Sequence, residues 1–217
     1  METPLLEVLA EDDRRELLKL ARRRRFARGE VIFHEGDPGD TMHLIAQGHI
    51  GIRATTPLGD VAMLRVLKPG EFFGELALIA AGNRSATAVA LDKAETLGIS
   101  RSLLDDLRSR IPAIDAVVTA ALVNEVRRLA AALTEALYLP SETRLLRRLV
   151  ELTELFASSG SDTVTIPLTQ DEMAQLAGVT RPTANRILKK AGDDGLVAVS
   201  RGQVEVLDAA GLARQAR

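Results

Sequence analysis

The sequence contains no cysteine among its 217 residues. That absence excludes disulfides, thiolate-bound zinc, iron–sulfur clusters and cysteine nucleophiles. The sequence also lacks any run of about 18 consecutive apolar residues, the length that a membrane span needs. Its N-terminus carries acids where a secretory signal would carry bases followed by an apolar run. We therefore expect a cytoplasmic protein without membrane contact.

An excess of positive charge is lacking as well. The formal net charge is -2 and the isoelectric point is about 6.0, so any binding of nucleic acid must depend on local charge. Histidine is scarce, and His34, His43 and His49 include no His-x-His pair. We expect these three residues at the barrel surface or in turns, with no metal or haem bound.

Short apolar runs cut by glycine at intervals of about eight to twelve residues fill positions 29–99, which indicates an all-β barrel or sandwich. Turn-forming residues separate these runs. The basic run 22–25 precedes this region and is predicted to end an early helix on a solvated face. The predicted strands are 31–33, 42–45, 50–53, 61–67, 86–91 and 95–99.

A single apolar stripe predicts a long helix that begins just after Pro112. The stripe could pack only on its own barrel, but a length of more than six turns favours pairing with a second copy, and we predict a homodimer. Pro140 ends the helix, and a second helix is predicted over residues 141–157. The stripe consists of Ile114, Val118, Leu122, Val126, Leu129, Leu133 and Leu137.

The segment from residue 168 to 188 predicts a helix-turn-helix, the motif that places its second helix in the DNA major groove. Thr169 and Glu172 have the spacing of a capping box, so one helix begins there. Gly178 suits the tight turn, and Thr180 caps the second helix, whose first turn tolerates Pro182.

The second helix and the hairpin that follows it supply the predicted DNA contacts. Arginine is suited to bidentate contact with guanine, and a hairpin over 196–207 forms a wing that brings Arg201 near a phosphate. The alternative is an ordinary helical hairpin whose basic residues contact only solvent. The predicted DNA-binding residues are Thr169, Gln170, Thr180, Arg181, Thr183, Arg186, Lys189 and Arg201.

Two short motifs carry a resemblance to a known family. The sequence Gly-Glu-Leu-Ala from Gly74, followed by Arg-Ser-Ala from Arg84, looks like the phosphate-binding cassette of cyclic nucleotide-binding domains. With the helix-turn-helix downstream, the whole chain resembles the cyclic-AMP receptor protein and fumarate-nitrate regulator (Crp/Fnr) family of transcription regulators. The resemblance implies an α+β chain with a jelly-roll barrel over 1–111, a dimerisation helix over 112–139 and a winged helix-turn-helix over 140–217.

The resemblance also implies a ligand and partners. Arg84, the Ser85 hydroxyl and backbone amides after Gly74 suit the single charge of a cyclic phosphodiester, and by resemblance Glu75 accepts a hydrogen bond from the ribose. Cyclic AMP is the expected ligand, palindromic double-stranded DNA the expected target, and RNA polymerase a further partner. The predicted ligand site comprises Gly74, Glu75, Leu76, Ala77, Arg84, Ser85, Ala86, Ile52, Leu64, Leu129 and Ala130, with Leu67 nearby.

Two departures from the family pattern leave alternatives open. Leu129 and Ala130 stand where the best-known relatives offer hydroxyl or amide groups to adenine, so base recognition is apolar or altered. Pro182 stands where relatives carry an acid, so the family half-site TGTGA is retained only in part. A regulator independent of nucleotides, with Glu75 and Arg84 forming an ion pair in an empty barrel, is one alternative. A cupin-like metalloenzyme and a pure interaction module are the others.

Overall fold

The computed structural model describes residues 3–157 and 163–216 of the chain. Contacts divide these residues into two compact units. Those of the N-terminal unit fall within Met1–Ala54 and Arg65–Ala130, and those of the C-terminal unit fall within Thr55–Leu64 and Ala131–Arg217. In chain order, the elements are α1 (Pro4–Glu7), α2 (Glu11–Leu20), β1 (Arg22–Phe26), β2 (Val31–Phe33), β3 (Thr41–Gln47), β4 (Ile50–Thr55), β5 (Val61–Leu67), β6 (Phe72–Phe73), α3 (Glu75–Ile79), β7 (Thr87–Ala90), β8 (Ala94–Ser100), α4 (Arg101–Arg110), α5 (Ala113–Tyr138), α6 (Ser141–Phe156), β9 (Val164–Ile166), α7 (Gln170–Ala177), α8 (Arg181–Asp193), β10 (Val197–Ser200), β11 (Gln203–Val206) and α9 (Ala209–Gln215).

The first eight strands form two four-stranded sheets in the orders β1-β8-β3-β6 and β2-β7-β4-β5. These are the strand orders of a jelly roll, so the predicted fold class is confirmed. The predicted strands 31–33 and 61–67 match β2 and β5, and the other four differ from their predicted limits by one or two residues. The short helix α3 lies between β6 and β7 and begins directly after Gly74.

The core of the N-terminal unit lies on both faces of the first sheet, because β3 and β8 carry apolar side chains on both faces. Met42 and Leu44 of β3 pack with residues of α1, α2, α4 and α5, while Ile45 packs with Phe26 and Phe73 between the two sheets. All three side chains of β3 are fully buried. A strand covered on both faces no longer alternates between apolar and polar residues, as the sequence 42–45 shows.

The basic run at residues 22–25 belongs to strand β1, so its assignment to the end of a helix is wrong. Helix α2 ends at Leu20, and β1 pairs antiparallel with β8. The Glu95 carboxylate of β8 accepts hydrogen bonds from Arg23 and from Arg25, whose Nε lies 2.8 Å away. The partner strand lies some seventy residues further along the chain, so no local pattern around the arginines could have indicated it.

The histidines occupy three different environments. His34 is exposed and His49 is half-buried beside Asp92, but His43 is only 3% exposed, so its expected place at the surface or in a turn is wrong. Its Nδ1 lies 3.1 Å from the Thr96 hydroxyl, and its ring stacks on Phe73. Burial, followed by the positive charges of nearby arginines, lowers the pKa of His43 from 6.5 to about 4.

The free energy of unfolding is therefore expected to fall as the pH drops from 6.5 to 4. In this window the unfolded chain binds a proton at position 43 and the folded chain does not, which lowers stability by about 3 kcal/mol. Urea unfolding of the wild type and of His43→Gln across this pH range checks the prediction. The variant should lack this component of the slope, and parallel curves for the two proteins would contradict it.

The apolar stripe of α5 has two parts with different surroundings. Ile114 and Val118 are buried at 1% and 7% exposure in the core of the N-terminal unit. The prediction that these two residues take part in pairing with a second copy is therefore wrong. Further along, Val126, Leu129, Leu133 and Leu137 are exposed at 44–67%. Only this second part is available to a partner. Within the described residues, no helix combines the length and apolar character that crossing a bilayer requires.

The C-terminal unit is built from α6 to α9 and a three-stranded sheet in the order β10-β11-β9. Helix α6 buries one face, including Leu145 and Leu149, and contacts α7, α8 and α9. The Arg144 guanidinium donates hydrogen bonds to the carbonyls of Ala177 and Gly178, at 3.2 and 3.0 Å. Arg144 thereby holds α6 to the turn between α7 and α8.

Candidate functional site

The glycine and the arginine of the predicted cassette lie in direct contact. Arg84 Nη1 donates to the Gly74 carbonyl at 2.9 Å, and Nη2 donates to the Thr41 carbonyl at 2.6 Å. The guanidinium lies over the Phe33 ring, 4.1 Å from its centroid. Arg84 is only 6% exposed, and its Nε has no hydrogen-bond partner within the described part of the chain. A buried cation thus retains one unused donor.

Glu75, the first residue of α3, does not pair with Arg84. No ion pair among the described residues joins these two side chains, so the proposed Glu75–Arg84 pair is wrong. Burial, followed by the negative charge of Glu125, raises the pKa of Glu75, although its own backbone N–H and Arg65 act in the opposite direction. The carboxyl group therefore holds its proton to higher pH than an exposed glutamate.

A network of charged side chains lies beside Glu75. Arg65 of β5 binds Glu71 and also Glu125 of α5, whose carboxylate lies 3.1 Å from Arg65 Nη1. Arg128 binds the same Glu125 carboxylate at 2.7 Å. The two arginines lower the pKa of Glu125, so this position stays negatively charged at neutral pH. Sequence reasoning missed this network, because its members come from two segments 60 residues apart.

The remaining predicted ligand residues differ in exposure. Within the cassette, Ala77 and Ala86 are buried, whereas Leu76 and Ser85 are exposed. Ala77 packs against Gly39, and its carbonyl accepts a hydrogen bond from Arg101 at 3.0 Å. Elsewhere, Ile52 is half-buried against the core between the sheets, Leu67 is buried, and Leu64, Leu129 and Ala130 are exposed.

The helix-turn-helix forms as its caps predict. The Thr169 hydroxyl accepts from the Glu172 N–H, and the Glu172 carboxylate accepts from the Thr169 N–H, which completes a capping box. Gly178 ends α7 with a φ of 62°, the left-handed geometry that suits glycine. Thr180 caps α8, with Pro182 in its first turn. The predicted start and turn of both helices are confirmed.

Helix α8 has one buried face and one basic exposed face. Ala184, Ile187 and Leu188 are buried. The exposed side chains include Arg181, Asn185, Arg186 and Lys189, and no ion pair within the described residues involves any of these four. In the part of the chain that the structure describes, nothing occupies their charged or amide donors, which can therefore serve an outside partner. Asn185 was missed by the sequence reasoning, although it lies one turn after Arg181, and an amide side chain can pair with adenine.

The other predicted DNA contacts include caps and the wing. The hydroxyls of Thr169 and Thr180 are engaged in capping, with Thr180 Oγ1 2.9 Å from Thr183 Oγ1, and Gln170 is half-buried. Arg201 is exposed in the turn between β10 and β11, where Ser200 pairs with Gln203. The predicted wing hairpin is therefore confirmed, with its first strand starting one residue later than expected.

Comparison with known proteins gives matches over both units. The model for the cyclic nucleotide-binding domain matches residues 23–110, and the model for the Crp-like helix-turn-helix domain matches residues 143–215. The "Cyclic AMP receptor protein" of Thermus thermophilus is 33% identical over 96% of this chain and 94% of the relative. The "CRP-like cAMP-activated global transcriptional regulator" of Mycobacterium tuberculosis is 30% identical over 88% of this chain and 87% of the relative. The chain belongs to the Crp/Fnr family of transcription regulators.

A solved structure supports the assignment of this Crp/Fnr regulator. The crystal structure of the Thermus thermophilus catabolite activator protein matches with a TM-score of 0.57 and 31% identity, over 99% of this chain and 98% of that chain. The matched domains contain the Gly74–Arg84 contact and α8, respectively. The regulator is therefore a DNA-binding protein with a cyclic nucleotide-binding domain, and the metalloenzyme and pure scaffold alternatives are wrong.

Gly74 of the regulator is expected to resist substitution because Arg84 occupies the space that a side chain would need. A Cβ at position 74 would lie 2.5 Å from Arg84 Nη1, and the residue has a φ of 83°. Gly29 has a similar φ of 81° but no atom within 4 Å of its would-be Cβ. Gly74→Ala should lower stability by about 2–4 kcal/mol and Gly29→Ala by about 1 kcal/mol. Urea unfolding checks this difference, and equal losses would show that Arg84 does not crowd Gly74.

Proposed function

We propose that this regulator is a homodimer that binds a palindromic DNA site and responds to a cyclic nucleotide, with cyclic AMP as the first candidate. The observation that carries the proposal is the basic face of α8, where Arg181 and Arg186 are exposed and make no ion pair within the described residues. A helix of this kind at the second position of a helix-turn-helix fits the major groove. In a dimer, two such helices about 34 Å apart match one turn of DNA.

The homodimer is supported by the exposed part of α5. Val126, Leu129, Leu133 and Leu137 follow each other at intervals of three and four residues, which places them along one face of the helix. Leu133 and Leu137 are 61% and 67% exposed. A second copy of α5 would cover this stripe by the same residues, as a two-fold interface requires. RNA polymerase is a further proposed partner, as the family resemblance implies.

The contact between Arg84 and Gly74 supports a phosphate subsite. The buried guanidinium keeps Nε without a partner among the described residues, and a phosphodiester oxygen would satisfy it. A bound cyclic nucleotide would supply one negative charge beside this buried cation. Glu75 suits the sugar, because its carboxyl group has a raised pKa. Such a group accepts a hydrogen bond from a hydroxyl when ionised and can donate one when protonated. These residues bind and orient, and no chemical step is required of them.

A second candidate is a regulator of this family that senses another small ligand or none. Two observations favour it, the first being that Leu129 and Ala130 have no side-chain donor or acceptor for a base. The second is that the negatively charged Glu125 acts on Glu75, so the surroundings of the sugar subsite already contain one carboxylate. An apolar or cationic effector group would meet less repulsion there than an anionic one.

Calorimetry with cyclic AMP and cyclic GMP, combined with gel shifts on selected DNA, tests the proposal. We expect cyclic AMP to bind and to tighten DNA binding, by about 5- to 150-fold for a typical coupling. Arg84→Ala should weaken nucleotide binding at least about tenfold, since it removes a charge-assisted contact. Unchanged affinity in this variant would remove Arg84 from the site. DNA binding that is equally tight with and without each nucleotide would favour the second candidate.

A further inference from the structure

A cavity of about 410 Å³ lies in the N-terminal unit beside β1 and β3. This volume falls within the range of small-molecule sites, roughly 300–1,000 Å³. Its lining includes Arg22, Arg24 and Arg84, but none of Gly74, Glu75, Leu129 or the other predicted nucleotide contacts. The cavity is therefore a place in the barrel distinct from the cassette, and Arg84 is the only residue that the two share.

Strand alternation explains how the basic run of β1 supplies the cavity. Successive side chains of a strand point to opposite faces. Arg23 and Arg25 bind Glu95 on one face, while Arg22 and Arg24 line the cavity on the other. Neither cavity-lining arginine forms an ion pair within the described residues. Glu95 thus pairs with two of the four arginines, and the other two can bind a ligand in the cavity.

Arg84 adds a third positive charge, and this one is buried. Both of its terminal nitrogens donate to backbone carbonyls, which are neutral acceptors, and its Nε has no partner among the described residues. A buried charge without a counter-ion is costly unless something compensates it. Burial lowers the pKa of Arg84, but arginine remains protonated at neutral pH.

The acidic residues of the lining offset these charges only in part. Asp37 and Asp40 also line the cavity, and both act against the effect of burial on the pKa of Arg84. Each carboxylate also accepts a hydrogen bond within its own loop, from the His34 N–H and the Thr41 hydroxyl, both at 2.8 Å. Three arginines thus face two carboxylates. Burial is the main cause of the lowered pKa of His43, and the positive charges of Arg84 and Arg24 add to it while Asp40 opposes it.

We propose that this cavity is a second ligand site of the barrel that binds a small aromatic anion, an aryl carboxylate or an aryl phosphate. The anionic group lies against Arg22 and Arg24. The ring packs on the apolar part of the lining, which Ile32, Phe33 and Leu20 provide. Apart from Arg84, none of the predicted cassette residues takes part, so the residues that hold the anionic group are not those of the nucleotide site.

Saturation-transfer NMR on the full-length protein, with benzoate and phenyl phosphate as probes, tests this site. Both probes should bind with a Kd of about 1 mM or tighter, and neutral benzamide should bind at least about tenfold more weakly. The double variant Arg22→Gln, Arg24→Gln should weaken both anions at least about tenfold. The matched control Arg23→Gln, Arg25→Gln removes the same charge from the opposite face and should stay within about twofold of the wild type.

Circular dichroism first establishes that both double variants are folded. The proposal is overturned if neither anion binds, if benzamide binds as tightly as benzoate, or if the two double variants lose affinity equally. Binding that cyclic AMP abolishes and that the first double variant leaves unchanged would place the probes in the nucleotide cassette, which also overturns it. Calorimetry with cyclic AMP on the same variants measures nucleotide binding separately. A failure of the second site can therefore be distinguished from a failure of the proposed nucleotide response.

Discussion

A Leu133→Glu variant is expected to be monomeric at micromolar concentration and to lose most of its affinity for a palindromic DNA site. Leu133 is 61% exposed in the middle of the free stripe of α5, and a symmetric dimer would contain the substitution twice. Two carboxylates facing each other across an apolar seam lose their hydration and repel each other. Loss of the second half-site should weaken DNA binding by roughly 10²- to 10⁴-fold.

A matched control lies on the same helix. Ala131 is exposed and two residues from both Leu129 and Leu133, which places it about 200° around the helix from each of them. Ala131→Glu introduces the same charge away from the stripe and should leave the dimer intact. Sedimentation velocity and gel shifts measure both variants. A dimeric Leu133→Glu protein, or dissociation of both variants, would show that this stripe is not the interface.

The sequence correctly predicted those helix ends and turns that are determined by residues close together in the chain. The capping box at Thr169, the turn glycine Gly178 and the helix start after Pro112 are each set by groups within four residues of one another, and all three are confirmed. The buried and exposed parts of α5 are different, because Ile114 and Leu133 belong to one continuous stripe in the sequence. Only tertiary packing against the first sheet distinguishes Ile114 from Leu133.

Non-local contacts account for the features that the sequence did not reveal. Strand β1 exists because β8 pairs with it, and four consecutive arginines carry no apolar alternation that would indicate a strand. His43 resembles any strand histidine in the sequence, yet it is buried because Phe33 and Phe73 pack around it. The orientation of the Arg84 side chain could not be predicted either, because it is set by hydrogen bonds to the carbonyls of Gly74 and Thr41.

Asn185 shows how exposure refines a site that sequence located correctly. The motif placed α8 and its arginines, but the sequence reasoning chose contacts by charge and capping and left out a neutral amide. In the structure Asn185 is exposed one turn from Arg181 and next to Arg186, whereas its neighbours Ala184 and Leu188 are buried. We therefore expect base readout to use a mixed basic and amide surface, which suits guanine and adenine together.

An Arg181→Ala variant is expected to lose both affinity and base preference on the target DNA. Arg181 is exposed in the first turn of α8, and the N-terminal residues of such a helix contact base edges. A bidentate contact with guanine contributes about 1–3 kcal/mol, and a dimer makes it in each half-site, so affinity should fall by roughly 30- to 10⁴-fold. Selection from random duplexes should show one position per half-site at which the guanine preference is lost.

Arg201→Ala separates this effect from general loss of charge. Arg201 lies in the exposed turn of the wing, where we expect a phosphate contact that carries no sequence information. This variant should weaken binding to all duplexes alike and reduce the salt dependence by about one unit per contact, while the selected sequence stays the same. If Arg181→Ala behaves in the same uniform way as Arg201→Ala, Arg181 contacts the DNA backbone, and the reading of guanine falls to other residues of α8.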